Sequence, residues 1–136
     1  MTDYNAKVIA EFRANGGNVP NFGSSLVLVH SVGAKSGQPR INPLMGIPQP
    51  DGSWLVAASK AGAPTHPAWY FNLLAHPDAS VETPDGTFEV IATELEGDDR
   101  DAGWAQFTSR SPGFAAYELK AGDRVIPVIK LSRATA

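Results

Sequence analysis

The sequence predicts a small antiparallel β-barrel with peripheral helices, an α+β fold that is mainly β. Three observations support this prediction. About six short apolar or alternating segments are bounded by turn residues, a helical segment separates the third from the fourth, and regular strand–helix alternation is absent. A chain of 136 residues is about one domain in size. We therefore expect a single domain over residues 1–136, with an N-terminal helix at 1–17 and the barrel at 24–132.

The first half of the chain predicts one helix and three strands. Asp3 can cap the helix, and Asn15-Gly16-Gly17 ends it. Its apolar face consists of Tyr4, Val8, Ile9 and Phe12. Strands follow at 25–30, 40–48 and 53–58, and turns at 33–39 and 50–52 join them into a meander.

The second half predicts two longer helices, a helical turn and three strands. Pro67 suits the first turn of a helix that ends at 76–78, and strands at 80–83 and 87–94 follow. A helix at 98–110 and a short helical turn at 114–119 precede a last strand at 125–131. Pro127 cannot donate a ladder hydrogen bond, so this strand is expected to be an edge strand or to contain a bulge.

Composition excludes several classes of function. The chain has no cysteine, which rules out thiol nucleophiles, Cys-ligated zinc, iron–sulfur clusters and disulfides. His30, His66 and His76 lack metal-ligand spacing, so we expect no metal site. A net charge of −3 argues against a nucleic-acid partner. With no long apolar run and no signal peptide, the chain is expected to be soluble and cytoplasmic.

Charge is unevenly distributed along the chain. Between Phe12 and Pro77 the only acid is Asp51, whereas residues 78–101 carry nine acids against one arginine. The cations of the first segment are Arg13, Lys35, Arg40 and Lys60. Such asymmetry can mark a segment that meets an anion, and a solvated acidic surface opposite an ordinary one is the other interpretation.

Three short segments predict a cofactor site. The turn with Lys35 and Ser36, followed by Arg40, supplies backbone donors and two cations that suit phosphate groups. Residues 58–62 (ASKAG) combine a hydroxyl and a cation with small residues that a planar ring could approach closely. Residues 66–72 (HPAWYFN) offer aromatic faces for stacking. Taken singly, each is also explained as a solvated turn, a strand-end loop or a helix packed by its aromatic residues.

The order and spacing of these segments resemble the deazaflavin-dependent nitroreductase family. The resemblance rests on GAKSGQPRINPL at 33–44, AASKAG at 57–62, HPAWYFNLLAHP at 66–77 and DRVIPV at 123–128. It implies a split β-barrel related to FMN-binding barrels, the deazaflavin coenzyme F420 and an actinobacterial source. It also implies hydride transfer from the reduced coenzyme to an electron-poor acceptor such as a quinone, an activated enone or a nitroaromatic.

Carried onto this chain, the resemblance implies roles for individual residues. Lys35 and Arg40 would hold the coenzyme's phosphate and acidic tail, the loop at 57–62 would line the ring edge and ribityl chain, and the helix at Pro67 would pack beside the coenzyme. The residues expected to bind the coenzyme are Lys35, Ser36, Gly37, Arg40, Asn42, Pro43, Ala57, Ala58, Ser59, Lys60, Ala61, Gly62, Pro67 and Trp69.

The segment after the last long helix departs from the family pattern. Nitroreducing members carry several tyrosines there, whereas residues 111–117 (SPGFAAY) keep only Tyr117. Phe114 and Tyr117 are expected to wall the acceptor pocket, and Ser59 or Tyr117 to act as the catalytic residue that polarises the acceptor or relays a proton. Quinone or enone reduction is therefore expected rather than reduction of bulky nitroimidazoles.

Other functions and partners remain open at this point. The same barrel could serve an FMN-dependent oxidoreductase or a non-catalytic carrier of F420 or a lipid-like ligand. The partner expected is a small-molecule hydride acceptor. The first helix could instead rest on a membrane, but the charges of Asp3, Lys7, Glu11 and Arg13 cancel, so we expect it to cover one end of the barrel. Pro127 on an edge strand argues against strand-to-strand dimers and favours a monomer.

Overall fold

Seven antiparallel strands form one curled sheet in the computed structural model, which describes residues 2–19, 25–63, 65–122 and 124–134. The strand order is β2-β1-β5-β6-β7-β4-β3. The strands are β1 (Leu26–Val32), β2 (Pro39–Met45), β3 (Ile47–Pro48), β4 (Trp54–Ala57), β5 (Asp78–Thr83), β6 (Gly86–Glu94) and β7 (Val128–Arg133). The sheet is a half-barrel, which confirms the predicted class of fold.

Within these ranges, four α-helices pack around the sheet. They are α1 (Thr2–Ala14), α2 (Ala68–Ala75), α3 (Gly97–Arg110) and α4 (Pro112–Ala121), and a 3-10 turn at Lys60–Gly62 follows β4. The segment expected to be a short helical turn at 114–119 is therefore a helix of 10 residues. It begins directly after Ser111 because Pro112 fits the first helical position, where no backbone donor is required.

Gly46 explains why the sheet curls. It alone separates β2 from β3, yet these two strands lie at opposite edges of the sheet. The strand predicted at 40–48 is thus two strands, the first paired with β1 and the second with β4. A Cβ atom at Gly46 would lie 2.8 Å from Cγ2 of Val27, so the chain can pass so close to β1 only without a side chain.

The prediction that Pro127 lies in an edge strand or a bulge is wrong. β7 begins one residue later, at Val128, and pairs with β6 on one side and β4 on the other. Pro127 therefore does not interrupt the ladder, and its carbonyl accepts a hydrogen bond of 2.9 Å from the N–H of Ala58. The expectation of a monomer loses its structural basis with this correction.

Side chains alternate between two apolar layers. One layer packs the sheet against α2, through residues such as Val29, Val56, Leu131 and Leu73. The other packs the opposite face against α3 and α4, through Leu55, Phe107, Ile126 and Val128. The period-2 alternation of the strands thus places helices on both faces of the half-barrel.

Helix α1 packs on the protein itself, as the sequence predicts. Val8 and Phe12 are buried against Leu26 and Leu28 of β1. The side chains of Asp3 and Tyr4, also assigned to this helix, lie outside the described part. None of the helices in the described ranges has the length and apolarity needed to cross a bilayer.

An ion pair joins α1 to β5. Nε and Nη2 of Arg13 donate hydrogen bonds of 2.9 Å to the two carboxylate oxygens of Glu82, and Nε2 of His30 lies 2.9 Å from the same carboxylate. The hydrogen bond from Arg13 is the largest of the influences that lower the pKa of Glu82 to about 2. The carboxylate is therefore charged throughout the neutral range.

We expect the stabilisation from Glu82 to be complete above its ordinary pKa of 4.5 and to be lost as the pH falls toward the folded pKa of about 2. The sign follows because the unfolded chain binds the proton more readily than the folded one. The Glu82→Gln variant should therefore unfold at a lower temperature than wild type at neutral pH. Between pH 4.5 and 2 it should lose less thermal stability than wild type. Thermal denaturation followed by circular dichroism measures this, with Glu89→Gln, exposed on β6, as control. Parallel acid profiles of wild type and Glu82→Gln would contradict the prediction.

Candidate active site

A cleft of about 1670 Å³ follows the junction between the two edges of the sheet. The strands on either side of Gly46, the loop after β4, the start of α2 and the α3–α4 corner line it. The site residues predicted from the sequence that line this cleft are Asn42, Pro43, Ala57, Ser59, Lys60, Pro67, Trp69, Phe114 and Tyr117. The predicted residues thus come from four separate segments of the chain, which meet at this cleft.

The turn proposed to hold phosphate lies beyond this lining. Lys35, Ser36, Gly37 and Arg40 are exposed and are not part of the cleft wall. Arg40 lies two residues before Asn42 on β2, however, and therefore on the same face of that strand. The turn thus extends from the end of one wall of the cleft.

The conformation of this turn is held by its own hydrogen bonds and by α2. The N–H of Gly33 donates to the carbonyl of Gln38 over 2.9 Å, and Nη2 of Arg40 donates to Oγ of Ser36 over 3.4 Å. The N–H of Ala34 donates to Oδ1 of Asn72 over 2.9 Å. Asn72 is buried in α2, and its role is absent from the sequence-based assignment, although it ends the motif at 66–72.

The loop after β4 contributes two residues to the cleft and uses the others for packing. Ser59 and Lys60 line the cleft. Ala58 is fully buried, and Gly62 packs against the backbone of α4, so neither lines it. The side chain of Ala61 lies outside the described part. Nζ of Lys60 donates to Oγ1 of Thr65 over 3.2 Å, which keeps this cation near the mouth of the cleft.

Arg124 is a hydrogen-bonding partner of this loop, and the sequence-based assignment missed it. Its guanidinium donates to the carbonyls of Ser59 over 2.7 Å, Ala63 over 2.9 Å and Ala58 over 3.0 Å. Nη1 also donates to Nδ1 of His66 over 2.9 Å. The only signal in the sequence was its place in DRVIPV, the fourth stretch of the family resemblance.

The two ring groups beside the loop are held in their neutral forms. Burial lowers the pKa of His66, and the neighbouring Arg124 lowers it further. Burial, together with a hydrogen bond of 2.8 Å from the Tyr70 hydroxyl to Glu94, raises the pKa of Tyr70 to about 12. These two groups are therefore suited to positioning rather than to proton transfer near neutral pH.

Aromatic side chains form the wall at the α3–α4 corner. The ring of Phe114 lies 5.3 Å from that of Phe107 and 5.7 Å from that of Tyr117, both in edge-on geometry. Phe107 is fully buried behind them. Within the described ranges the hydroxyls of Ser59 and Tyr117 make no hydrogen bond to the protein, so both can donate to a bound molecule.

The charges of the cleft favour an anion. Among the described residues that line it, the cations are Lys60, Arg110 and Arg133, and the only acid is Asp85. Ala57, Ser59 and Lys60 place small and polar groups near Trp69, as a planar, charged coenzyme requires. A curled antiparallel half-barrel with helices on both faces and an open cleft of this kind belongs to the split-barrel class of proteins.

Comparison with known proteins narrows this class. Residues 5–132 match the family model of the F420H(2)-dependent quinone reductases. An F420H(2)-dependent quinone reductase of Mycobacterium tuberculosis is 34% identical over 121 residues, which cover 87% of this chain and 79% of that protein. The chain therefore belongs to the F420H(2)-dependent quinone reductase family.

Two solved structures share both fold and sequence. The F420-H2 dependent reductase FDR-A is 40% identical with a TM-score of 0.73, and the match covers 79% of this chain and 94% of that one. A structure described as a domain-swapped dimer is 36% identical with a TM-score of 0.75, covering 96% and 98%. The split-barrel fold, the oxidoreductase class and the F420 coenzyme are thus confirmed, whereas the expectation of a monomer finds no support.

Proposed function

We propose that this protein transfers a hydride from reduced F420 to a quinone in the cleft at the sheet junction. The coenzyme lies along the wall that runs from the turn at 33–40 to the loop at 57–62, and the quinone lies against Phe114 and Tyr117. The observation that carries this assignment is the convergence of all these segments, except the turn itself, on one cleft. We also place the reaction in the cytoplasm; the chain has no cysteine, so no disulfide ties it to an oxidising compartment.

The residues present fit this coenzyme. F420 combines a planar ring with a phosphate and an acidic tail, and the cleft offers small residues, an aromatic wall and an excess of cations. Its volume of about 1670 Å³ exceeds the ~300–1,000 Å³ of a typical small-molecule pocket. The cleft can therefore hold the coenzyme and a quinone together.

When bound, the reduced deazaflavin supplies the hydride. The chain's own residues bind and orient the coenzyme and the quinone, and they shield the site from water. Lys35, Arg40 and Lys60 bind the anionic groups, while Phe107 and Phe114 keep water from the acceptor side. The hydroxyl of Ser59 or Tyr117 donates a hydrogen bond to a quinone oxygen and stabilises the negative charge that develops there.

Removal of either cation of the turn is expected to weaken coenzyme binding. Lys35→Ala and Arg40→Ala should each cost about 1–3 kcal/mol of binding free energy, the scale of a charge-assisted contact, without unfolding the protein. Tryptophan fluorescence titrated with F420 measures the dissociation constant. Lys7→Ala, which removes an exposed cation of α1, is the control. Unchanged affinity in both turn variants would refute the assignment of the phosphate site.

The proposed function is tested by parallel titrations with F420 and FMN, followed by turnover with a simple naphthoquinone. Trp69 lines the cleft, so bound coenzyme should quench its fluorescence. We expect saturation by F420, little response to FMN and oxidation of F420H2 only when the quinone is added. Preference for FMN would indicate an FMN-dependent oxidoreductase, and F420 binding without turnover would indicate a carrier. No response to either would overturn the proposal.

A further inference from the structure

We infer that Arg124 is the positioning residue of the coenzyme site, because its guanidinium holds together two segments that face the cleft. This inference rests on the proposed function. One segment is the loop Ala58–Ala63, which the guanidinium binds through three carbonyls. The other is the entry to α2, which it reaches through His66. Both segments continue directly into cleft-lining residues: Ser59 and Lys60 in the loop, and Pro67 after His66.

The contacts of Arg124 differ from those of an ordinary surface arginine. Among the described residues no carboxylate pairs with it, and its four hydrogen bonds end on three carbonyl oxygens and one imidazole nitrogen. Burial lowers the pKa of the guanidinium, which nevertheless remains charged at physiological pH. The three backbone carbonyls fix the position of the planar guanidinium, and the guanidinium in turn fixes the positions of the three carbonyls.

This arrangement determines the direction of the backbone beside the cleft. All described peptide bonds are trans, so a carbonyl that points to the guanidinium turns the following N–H away from it. The N–H groups of Ser59 and Lys60 are therefore directed away from Arg124 by its bonds to the carbonyls of Ala58 and Ser59. Arg124 thus sets the orientation of two backbone donors on residues that line the cleft.

Lys60 shows why the loop requires an external partner. It is the one described residue other than glycine with a positive φ, +48°, a conformation that costs free energy for a side-chain-bearing residue. The carbonyl of Ser59, directly before it, accepts from both Arg124 and the N–H of Gly62. Without the guanidinium the loop would relax, and the Lys60 side chain would leave its place at the mouth of the cleft.

Arg100 provides a matched control. Its Nε and Nη2 also donate to a backbone carbonyl, that of Ile126, over 3.2 and 2.8 Å, and it is half-buried beside Trp104. Neither Arg100 nor Ile126 lines the cleft. Arg100, which lies in α3, thus provides for comparison an arginine with a merely structural role that binds the same C-terminal segment.

The test compares the full-length variants Arg124→Gln, Arg124→Lys and Arg100→Gln well below their unfolding temperatures. For Arg124→Gln we expect the dissociation constant and KM for reduced F420 to rise at least tenfold, with the KM for naphthoquinone changed less than twofold. Arg124→Lys keeps the positive charge but should not recover coenzyme affinity, because one ammonium cannot span three carbonyls. Arg100→Gln should lose stability and keep the wild-type coenzyme KM.

The possible outcomes separate the inference from its alternatives. Wild-type coenzyme affinity in Arg124→Gln, or its full recovery in Arg124→Lys, would overturn the inference. Should Arg124→Gln fail to fold, Arg124→Lys alone still decides, since only a positioning role leaves its affinity impaired. Failure of the wild type to bind F420 would reject the proposed function instead. NMR titration of His66 without coenzyme then still tests the geometry: its pKa should rise in Arg124→Gln as the neighbouring cation is removed, and an unchanged pKa would refute the contact.

Discussion

Replacing Gly62 with alanine is expected to lower the free energy of unfolding by about 2–4 kcal/mol and to weaken coenzyme binding together with it. Gly62 has a φ of +79°, which disfavours any residue with a Cβ atom. That atom would also lie 2.7 Å from the carbonyl oxygen of Tyr117 and 3.0 Å from its Cα. Because these are backbone atoms, α4 must move as a whole to relieve the contact, and Tyr117 would leave the acceptor wall with it.

Gly16 is the control that separates the two causes of this effect, the left-handed backbone conformation and the contact of the added Cβ atom. Its φ of +61° is similarly left-handed, but a Cβ atom there would meet nothing within 4 Å. Gly16→Ala should therefore show only the conformational cost of about 1–2 kcal/mol and wild-type coenzyme binding. Urea denaturation and fluorescence titration of both variants measure these quantities. Equal losses at both positions would show that packing of the loop against α4 contributes nothing.

Replacing Phe107 with alanine is expected to cost about 3–5 kcal/mol of stability, the range for removing a buried aromatic ring. Phe107 is fully buried, and its ring lies 5.3 Å from Phe114 and 6.3 Å from Trp104. The cavity left by the Phe107 ring would remove the support behind Phe114, which belongs to the proposed acceptor wall. We therefore expect the KM for quinone to rise in the molecules that remain folded, with a smaller change in the KM for reduced F420.

Phe71 is the matched control for this substitution. It is 48% exposed on α2, so Phe71→Ala should cost less than about 1.5 kcal/mol. Urea denaturation gives the two free energies, and steady-state kinetics with varied naphthoquinone gives the KM. A Phe107→Ala protein as stable as Phe71→Ala would contradict the assignment of Phe107 to the core of the α3–α4 layer.

Much of this protein can be predicted from local sequence patterns. The strands at 26–32, 54–57 and 86–94 lie within a few residues of their predicted positions, since period-2 alternation and turn residues act over short distances. Ala57, Ser59 and Lys60 of the loop, and Phe114 and Tyr117, which we propose as the acceptor wall, were also chosen from sequence, and the structure places them on one cleft. Their motifs are continuous stretches of chain, which is why they can be recognised without a structure.

Other features depend on residues far apart in the chain. The break of the strand at Gly46 cannot be predicted without knowing that β2 and β3 occupy opposite edges of the sheet. Pro127 lies in an apolar stretch that predicts a strand, and only the structure shows that β7 begins after it. The role of Arg124 arises from hydrogen bonds to Ala58, Ser59 and Ala63, 61 to 66 residues earlier in the sequence.

Local patterns and continuous motifs are enough to establish the class of fold, the family resemblance and the segments that carry chemistry. Which of those residues share a cleft, and what holds them there, depends on how distant parts of the chain fold together. Lys35, on its exposed turn, and Arg40, exposed at the start of β2, lie outside the cleft lining, while Arg124 binds the loop directly. The physical reason is that a guanidinium selects carbonyls by distance and direction in space, and sequence separation places no limit on that choice.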